Sequence, residues 1–154
     1  MDPILALHRS NRAQWKREDD IRRDDANDAM VAAAKRDIDR MNTARHGFIE
    51  AIDRSILQVI GRCQEAPLVT ESPGMAIDRL SVLVIRLGST EARAGSGTAD
   101  ARSYAERIPR LRSQRNSLEE AIGTLLDDLA EGTRRFFAYE SLKLYGPGDP
   151  GRVG

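Results

Sequence analysis

Two long runs of apolar residues, spaced by threes and fours, leave this chain few ways to fold. The first reads Val31, Ala34, Ile38, Met41, Arg45, Phe48, Ile52, Ile56, Val59 and Cys63. The second reads Tyr104, Ile108, Leu111, Arg115, Leu118, Ile122, Leu125, Leu129 and Phe136. That spacing lays a single stripe along one side of a helix. A helix cannot cover its own stripe, so other helices must. Two shorter segments can supply the cover. Asp2 as cap and Pro3 in the first turn predict a helix from Pro3 to about Arg22. Thr70 or Ser72 as cap and Pro73 in the first turn predict another, from Pro73 to about Ala92. The long helices are predicted from about Ala29 to Gln64, capped by Asn27 or Asp28, and from about Ala99 to Phe136. Pro109 inside the last one predicts a kink or short break before it.

The two halves also match each other. A shift of 70 positions puts Pro3, Ala6, Arg9, Arg23 and Ala29 on Pro73, Ala76, Arg79, Arg93 and Ala99. It puts Ile38, Arg40, Arg45 and Glu50-Ala51-Ile52 on Ile108, Arg110, Arg115 and Glu120-Ala121-Ile122. These are eleven identities in the 58 positions from Pro3 to Ile60, more than chance gives in a chain rich in Ala and Arg. Each half is a short helix followed by a long one, and neither half buries its stripe alone. The expectation is a single all-α domain over residues 1–154, an antiparallel four-helix bundle with a pseudo-two-fold axis. Its repeats are 3–64 and 73–136, and its tail is 137–154. Tyr139, Leu142, Leu144 and Tyr145 predict that part of the tail docks. Gly146 to Gly154, with two prolines and four glycines, is expected to be flexible.

Composition removes several functions. Twenty-four basic residues balance 24 acidic ones, so no net field draws the chain to nucleic acid or an anionic membrane. Aromatics are 5%, too few for a base-stacking platform. One cysteine and two histidines supply no standard zinc set, and no metal or other cofactor is expected. No Gly-rich phosphate loop appears, and neither histidine follows a glutamate at the spacing of a di-iron bundle. Cys63 reads as a packing residue and His46 as a surface one. No basic-then-apolar leader and no apolar run of about 20 residues is present, so the expectation is a cytoplasmic protein.

Polar chemistry is expected where charge interrupts apolar sequence. Asp78, Arg79 and Ser81 do so inside Ile77 to Leu87, just after the Pro73-Gly74 turn. A buried charge is costly unless paired. In the first helix Ile4, His8, Asn11, Trp15, Glu18 and Arg22 share one face, a poor core and a good pocket wall. Under the shift His8 falls on Asp78, Asn11 on Ser81 and Arg45 on Arg115. A pseudo-two-fold bundle therefore brings these side chains toward its middle. Glu18, Asp19, Glu71 and Asp78 are the candidate partners of the two seam arginines. Three arrangements suit those arginines: a buried Arg–carboxylate network fixing helix register, an anion-binding pocket walled by Trp15, or extension into water.

Several motifs resemble a bacterial family catalogued as domain of unknown function 4254. They are Leu7-His8-Arg9, Asn11, Trp15 and Glu18-Asp19, then Ile38-Asp39-Arg40-Met41-Asn42, Arg45 and Ile49-Glu50-Ala51-Ile52-Asp53. The most specific is Thr70-Glu71-Ser72-Pro73-Gly74 followed by Ile77-Asp78-Arg79-Leu80-Ser81, and Arg134-Arg135-Phe136, Lys143 and Tyr145 agree. Phe137 and Gly146 depart from the pattern, where lysine and asparagine are expected. The resemblance implies an all-helical bacterial protein that serves glycan or specialised-metabolite biosynthesis. A weaker similarity points to the two-subunit aziridine-forming enzymes of azinomycin-like antibiotic pathways. The expected function is then one subunit of an enzyme that binds an anion-bearing amine and promotes cofactor-free intramolecular substitution or elimination, with sulfate loss. Asp78 and His8 are the catalytic candidates. Trp15, Asn11, Arg45, Arg79, Ser81, Arg115 and Glu71 are the substrate-binding ones. The expected partners are a small anionic metabolite and a homologous or identical helical subunit. The alternative is a non-catalytic helical scaffold in a biosynthetic complex.

Overall fold

The computed structural model describes residues 2–22, 27–60 and 65–140. It is all-helical: α1 (Pro3–Ile21), α2 (Asp28–Ile60), α3 (Pro73–Ala94), α4 (Ala101–Ala105) and α5 (Ile108–Ala130). Apart from an isolated parallel bridge between Leu68 and Arg135, the described residues hold no strand. Asp2 caps α1, its Oδ1 accepting the Ile4 N–H at 2.9 Å. Asn27 accepts the Met30 N–H at 2.9 Å and so caps α2. Ser72 caps α3. The break predicted before Pro109 falls at Glu106 and Arg107, between α4 and α5, and leaves Pro109 in the first turn of α5, where it needs no N–H partner.

The last helix ends earlier than its stripe suggests. It stops at Ala130, not near Phe136. Gly132 takes a left-handed φ of 73°, and the N–H groups of Thr133 and Arg134 turn back to the Asp128 carbonyl. The chain then runs beside residues 67–69. Arg135 N–H reaches the Pro67 carbonyl at 3.0 Å, Val69 N–H reaches the Arg135 carbonyl at 2.9 Å, and Arg135 Nε reaches the Ala66 carbonyl at 2.7 Å. Phe136 is buried, but from this extended segment.

α1 packs on α2, α3 packs on α4 and α5, and α3 also meets α1 and α2. Arg17 late in α1 pairs with Asp37 early in α2 at 3.0 Å, while Leu7 packs on Ile49 and Ile52 further along. These two helices therefore run in opposite directions. Leu7, Ile49 and Ile52 form the core cluster, with Phe48, Ile56, Ile77 and Tyr139 against it. The stripe on α2 is not buried throughout: Val59 is 86% exposed, while Ile49 and Asp53, one position off the stripe, are buried. Cys63, Leu142, Lys143, Leu144, Tyr145 and the stretch from Gly146 lie outside the described residues. α2 and α5 make no packing contact comparable to those above, and the space between them lies over α3.

Candidate functional site

A cleft of about 940 Å³ occupies that space. Arg45, His46 and Ile49 of α2 form one wall, Ser117, Leu118 and Ala121 of α5 the other, and Met75, Asp78, Val82 and Leu83 of α3 the floor. Tyr139 closes one side. The lining is mainly apolar with a few converging polar groups, the usual make-up of a small-molecule site.

Asp78 is its centre. The residue is 7% exposed and both oxygens are engaged. Oδ1 accepts Arg45 Nε at 2.8 Å and Asn11 Nδ2 at 2.9 Å, and Oδ2 accepts Arg45 Nη2. This forked pairing is the geometry in which arginine and carboxylate bind most strongly. Hydrogen bonding to Asp78 raises the guanidinium pKa of Arg45 above its usual value, and nearby Glu18 and Tyr139 act in the same direction. Asn11 also donates to Ser81 Oγ at 3.2 Å, and Ser81 Oγ lies 3.0 Å from His8 Nδ1. Thus His8, Asn11, Arg45, Asp78 and Ser81 meet, although they come from three helices. His8 is behind the cleft and not in its lining. Asn11 Oδ1 is buried with no hydrogen-bond partner among the described residues.

Four sequence candidates stand apart from the Asp78 network, two of them still on the cleft. Arg79 and Glu71 pair with each other at 2.8 Å at the rim of the cleft, with Arg79 60% exposed. Arg115 does not join Asp78. Its guanidinium donates to Asn116 Oδ1 at 2.8 Å and lies 3.6 Å from Glu119, on its own helix. Trp15 does not wall the cleft either. It lines a second cavity, of about 560 Å³, beside Asp19, Arg93 and Tyr104.

Two residues outside the predicted site set, His46 and Tyr139, complete the cleft, and a third, Asp53, holds Tyr139 in place. His46 is half-buried, not a free surface histidine. Its Nδ1 is 2.7 Å from Tyr139 Oη, and the two rings stack at 5.5 Å between centroids. Tyr139 is held there by Asp53, which is fully buried. Asp53 Oδ2 accepts the Tyr139 N–H at 2.8 Å, and Oδ1 accepts the Gly74 N–H at 2.7 Å, in the first turn of α3. A carboxylate suits a helix N-terminus, whose N–H groups carry partial positive charge. Gly74 is required at this contact: a Cβ there would lie 2.7 Å from the Ile49 carbonyl and 2.8 Å from Asp53 Oδ1. The one sequence signal for Asp53 was an acid set among Ile49, Ile52 and Ile56.

The family model described as "Protein of unknown function (DUF4254)" matches residues 2–137. The chain belongs to the DUF4254 family. That span holds every residue of the cleft except Tyr139, which lies two positions beyond it. No curated protein and no solved structure matches this DUF4254 chain. Among the described residues, no helix is long and apolar enough to cross a membrane, and no three His, Cys, Asp or Glu side chains are grouped to hold a metal ion.

Proposed function

We propose that this DUF4254 protein is one subunit of an enzyme of specialised-metabolite biosynthesis, and that its cleft binds an anion-bearing amine and promotes intramolecular substitution. The observation that carries this reading is a carboxylate, a guanidinium and a histidine–tyrosine pair gathered on one largely apolar cleft. The step is balanced without a redox partner. The amine nitrogen attacks a neighbouring carbon that bears a sulfate ester. The C–N bond forms as the C–O bond breaks, sulfate leaves with the bonding pair, and the nitrogen then loses a proton. His46 is the proton acceptor, through Nε2, in the tautomer whose Nδ1–H donates to Tyr139 Oη. Asp78 holds Arg45 in place and offers negative charge to the nitrogen as it becomes cationic in the attack. The apolar wall keeps amine and leaving group in line, which supplies several kcal/mol in well-oriented reactions.

The pairing across α1 and α3 supports the duplicated-hairpin origin of the fold. His8–Ser81, Asn11–Ser81 and Asn11–Asp78 have sequence separations of 73, 70 and 67. They are symmetric about the repeat length, as reciprocal contacts across a two-fold axis must be. A homologous helical subunit is then a natural partner. The scaffold reading draws on Val59 and Phe137, apolar side chains 86% and 70% exposed.

The test is sulfate release from 2-aminoalkyl sulfate esters by the protein mixed with its genomic-neighbour subunits. Release that falls at least tenfold in His46→Gln and Asp78→Asn supports the enzyme. Release by the complex that ignores both substitutions assigns the chemistry to the partner and leaves this chain the scaffold.

A further inference from the structure

The second cavity is strongly cationic. Arg22, Arg86, Arg93, Arg107 and Arg110 line it against only Asp19 and Glu106. The acids do not neutralise it. Asp19 is shared between Arg22 at 3.7 Å and Arg93 at 3.6 Å, and Glu106 is drawn to Arg102 at 3.3 Å, outside the lining. Arg86 and Arg110 have no carboxylate partner among the described residues. Two of the guanidinium groups are fixed in advance. Arg93 and Arg107 each lie 5.4 Å from the Tyr104 ring centre, and Arg93 also donates to Tyr104 Oη at 2.8 Å. Cations held over an aromatic ring lose less freedom when an anion arrives. Trp15 adds a buried indole N–H with no acceptor among the described residues. Such a donor is costly to leave unmet.

Arg86 and Gln114 line both this cavity and the cleft. One layer of side chains therefore separates them.

We infer that the Trp15–Tyr104 cavity is an anion subsite, which takes the phosphate or sulfate ester end of a ligand whose other end lies in the cleft. Its role as part of the substrate site rests on the function proposed above; its capacity to bind an oxyanion does not. Arginine in planar, multidentate contact is the side chain best matched to a tetrahedral oxyanion. Arg45, the seam arginine expected to do this, is already committed to Asp78. The anion is held by arginines outside the substrate-binding set that the sequence suggested.

The chain contains one tryptophan, and it lines this cavity, so its emission reports on the site alone. The experiment titrates inorganic sulfate, phosphate and pyrophosphate against Trp15 fluorescence, with chloride replacing them at constant ionic strength. A saturable change is expected for at least one oxyanion. Arg86→Gln and Arg110→Gln should each weaken it about tenfold or more, as loss of a charge-assisted contact does. Arg40→Gln, on an exposed side chain of α2, should leave it unchanged. Whether sulfate or phosphate binds more tightly identifies the ester. A non-saturable change equal to that of chloride overturns the subsite, as does binding that survives both substitutions in folded protein. Saturable binding without sulfate release in the enzyme assay leaves the subsite standing and removes the reaction.

Discussion

The two long helices carry matching residues and treat them differently. On α2, Arg45 turns inward to Asp78 and Asp53 is fully buried. At the positions 70 further on, Arg115 stays on its own helix and Gly123 meets nothing within 4 Å of a would-be Cβ. The repeat explains why. Under the shift, the residue that would answer Arg115 is His8, because His8 stands where Asp78 does. Histidine cannot offer the two oxygens a guanidinium needs, and His8 is engaged with Ser81. One rod is bolted to α3 by charge, and the other rests on it by packing and the exposed Arg112–Glu91 pair at 2.7 Å. Matching positions on the two long helices can therefore share a place in the scaffold without sharing chemistry.

Substitutions at the matched positions test this contrast. Among the largest effects is that of Asp53→Ala, which strands one buried and one part-buried N–H group and should cost about 3 kcal/mol in urea unfolding. If it costs less than 1 kcal/mol, α2 is not fastened as described. Asp78→Ala should cost about 3 kcal/mol, because Arg45 would remain half-buried without its anion. Arg115→Ala should cost about 0.5 kcal/mol or less. Similar losses for the two would erase the difference between the rods.

The glycines give opposite signs. Gly74→Ala should destabilise by about 1–3 kcal/mol through overlap with Ile49 and Asp53. Gly123→Ala, within α5 and facing open space, should stabilise by about 0.5–1 kcal/mol in thermal unfolding. The smallest effect concerns acid. Hydrogen bonding from Arg40, helped by Arg17, lowers the Asp37 pKa below its ordinary value. A depressed folded-state pKa contributes stability above the unfolded value of about 3.9. That contribution is lost as pH falls through the folded value. Asp37→Asn should therefore slightly lower stability at neutral pH, leave it unchanged below the folded value, and so flatten the acid side of the stability profile.

The sequence made much of the frame legible. Helix starts at Asp2 and Ser72 follow from local capping, and the interruption at Pro109 follows from one ring without an N–H. The Arg45–Asp78 pair was within reach because two charges lay in otherwise apolar stripes. What stayed hidden depends on distant contact. His46 next to Arg45 looked like a surface residue until Tyr139, 93 positions away, was found on it. Tyr139 arrives only because α5 stops at Ala130, and that stop rests on Gly132 and a turn back to Asp128. Trp15 shares a helical face with Asn11, yet one turn along that face is enough to move it from the cleft to the basic cavity.

The Asp53 carboxylate grips the first turn of α3 with one oxygen and the strand-like C-terminal segment with the other. Those two amides should therefore open to solvent together, as one cooperative unit, although 65 positions separate Gly74 from Tyr139. A single side chain thus makes the presence of the cleft's phenol depend on the integrity of the helix that forms its floor.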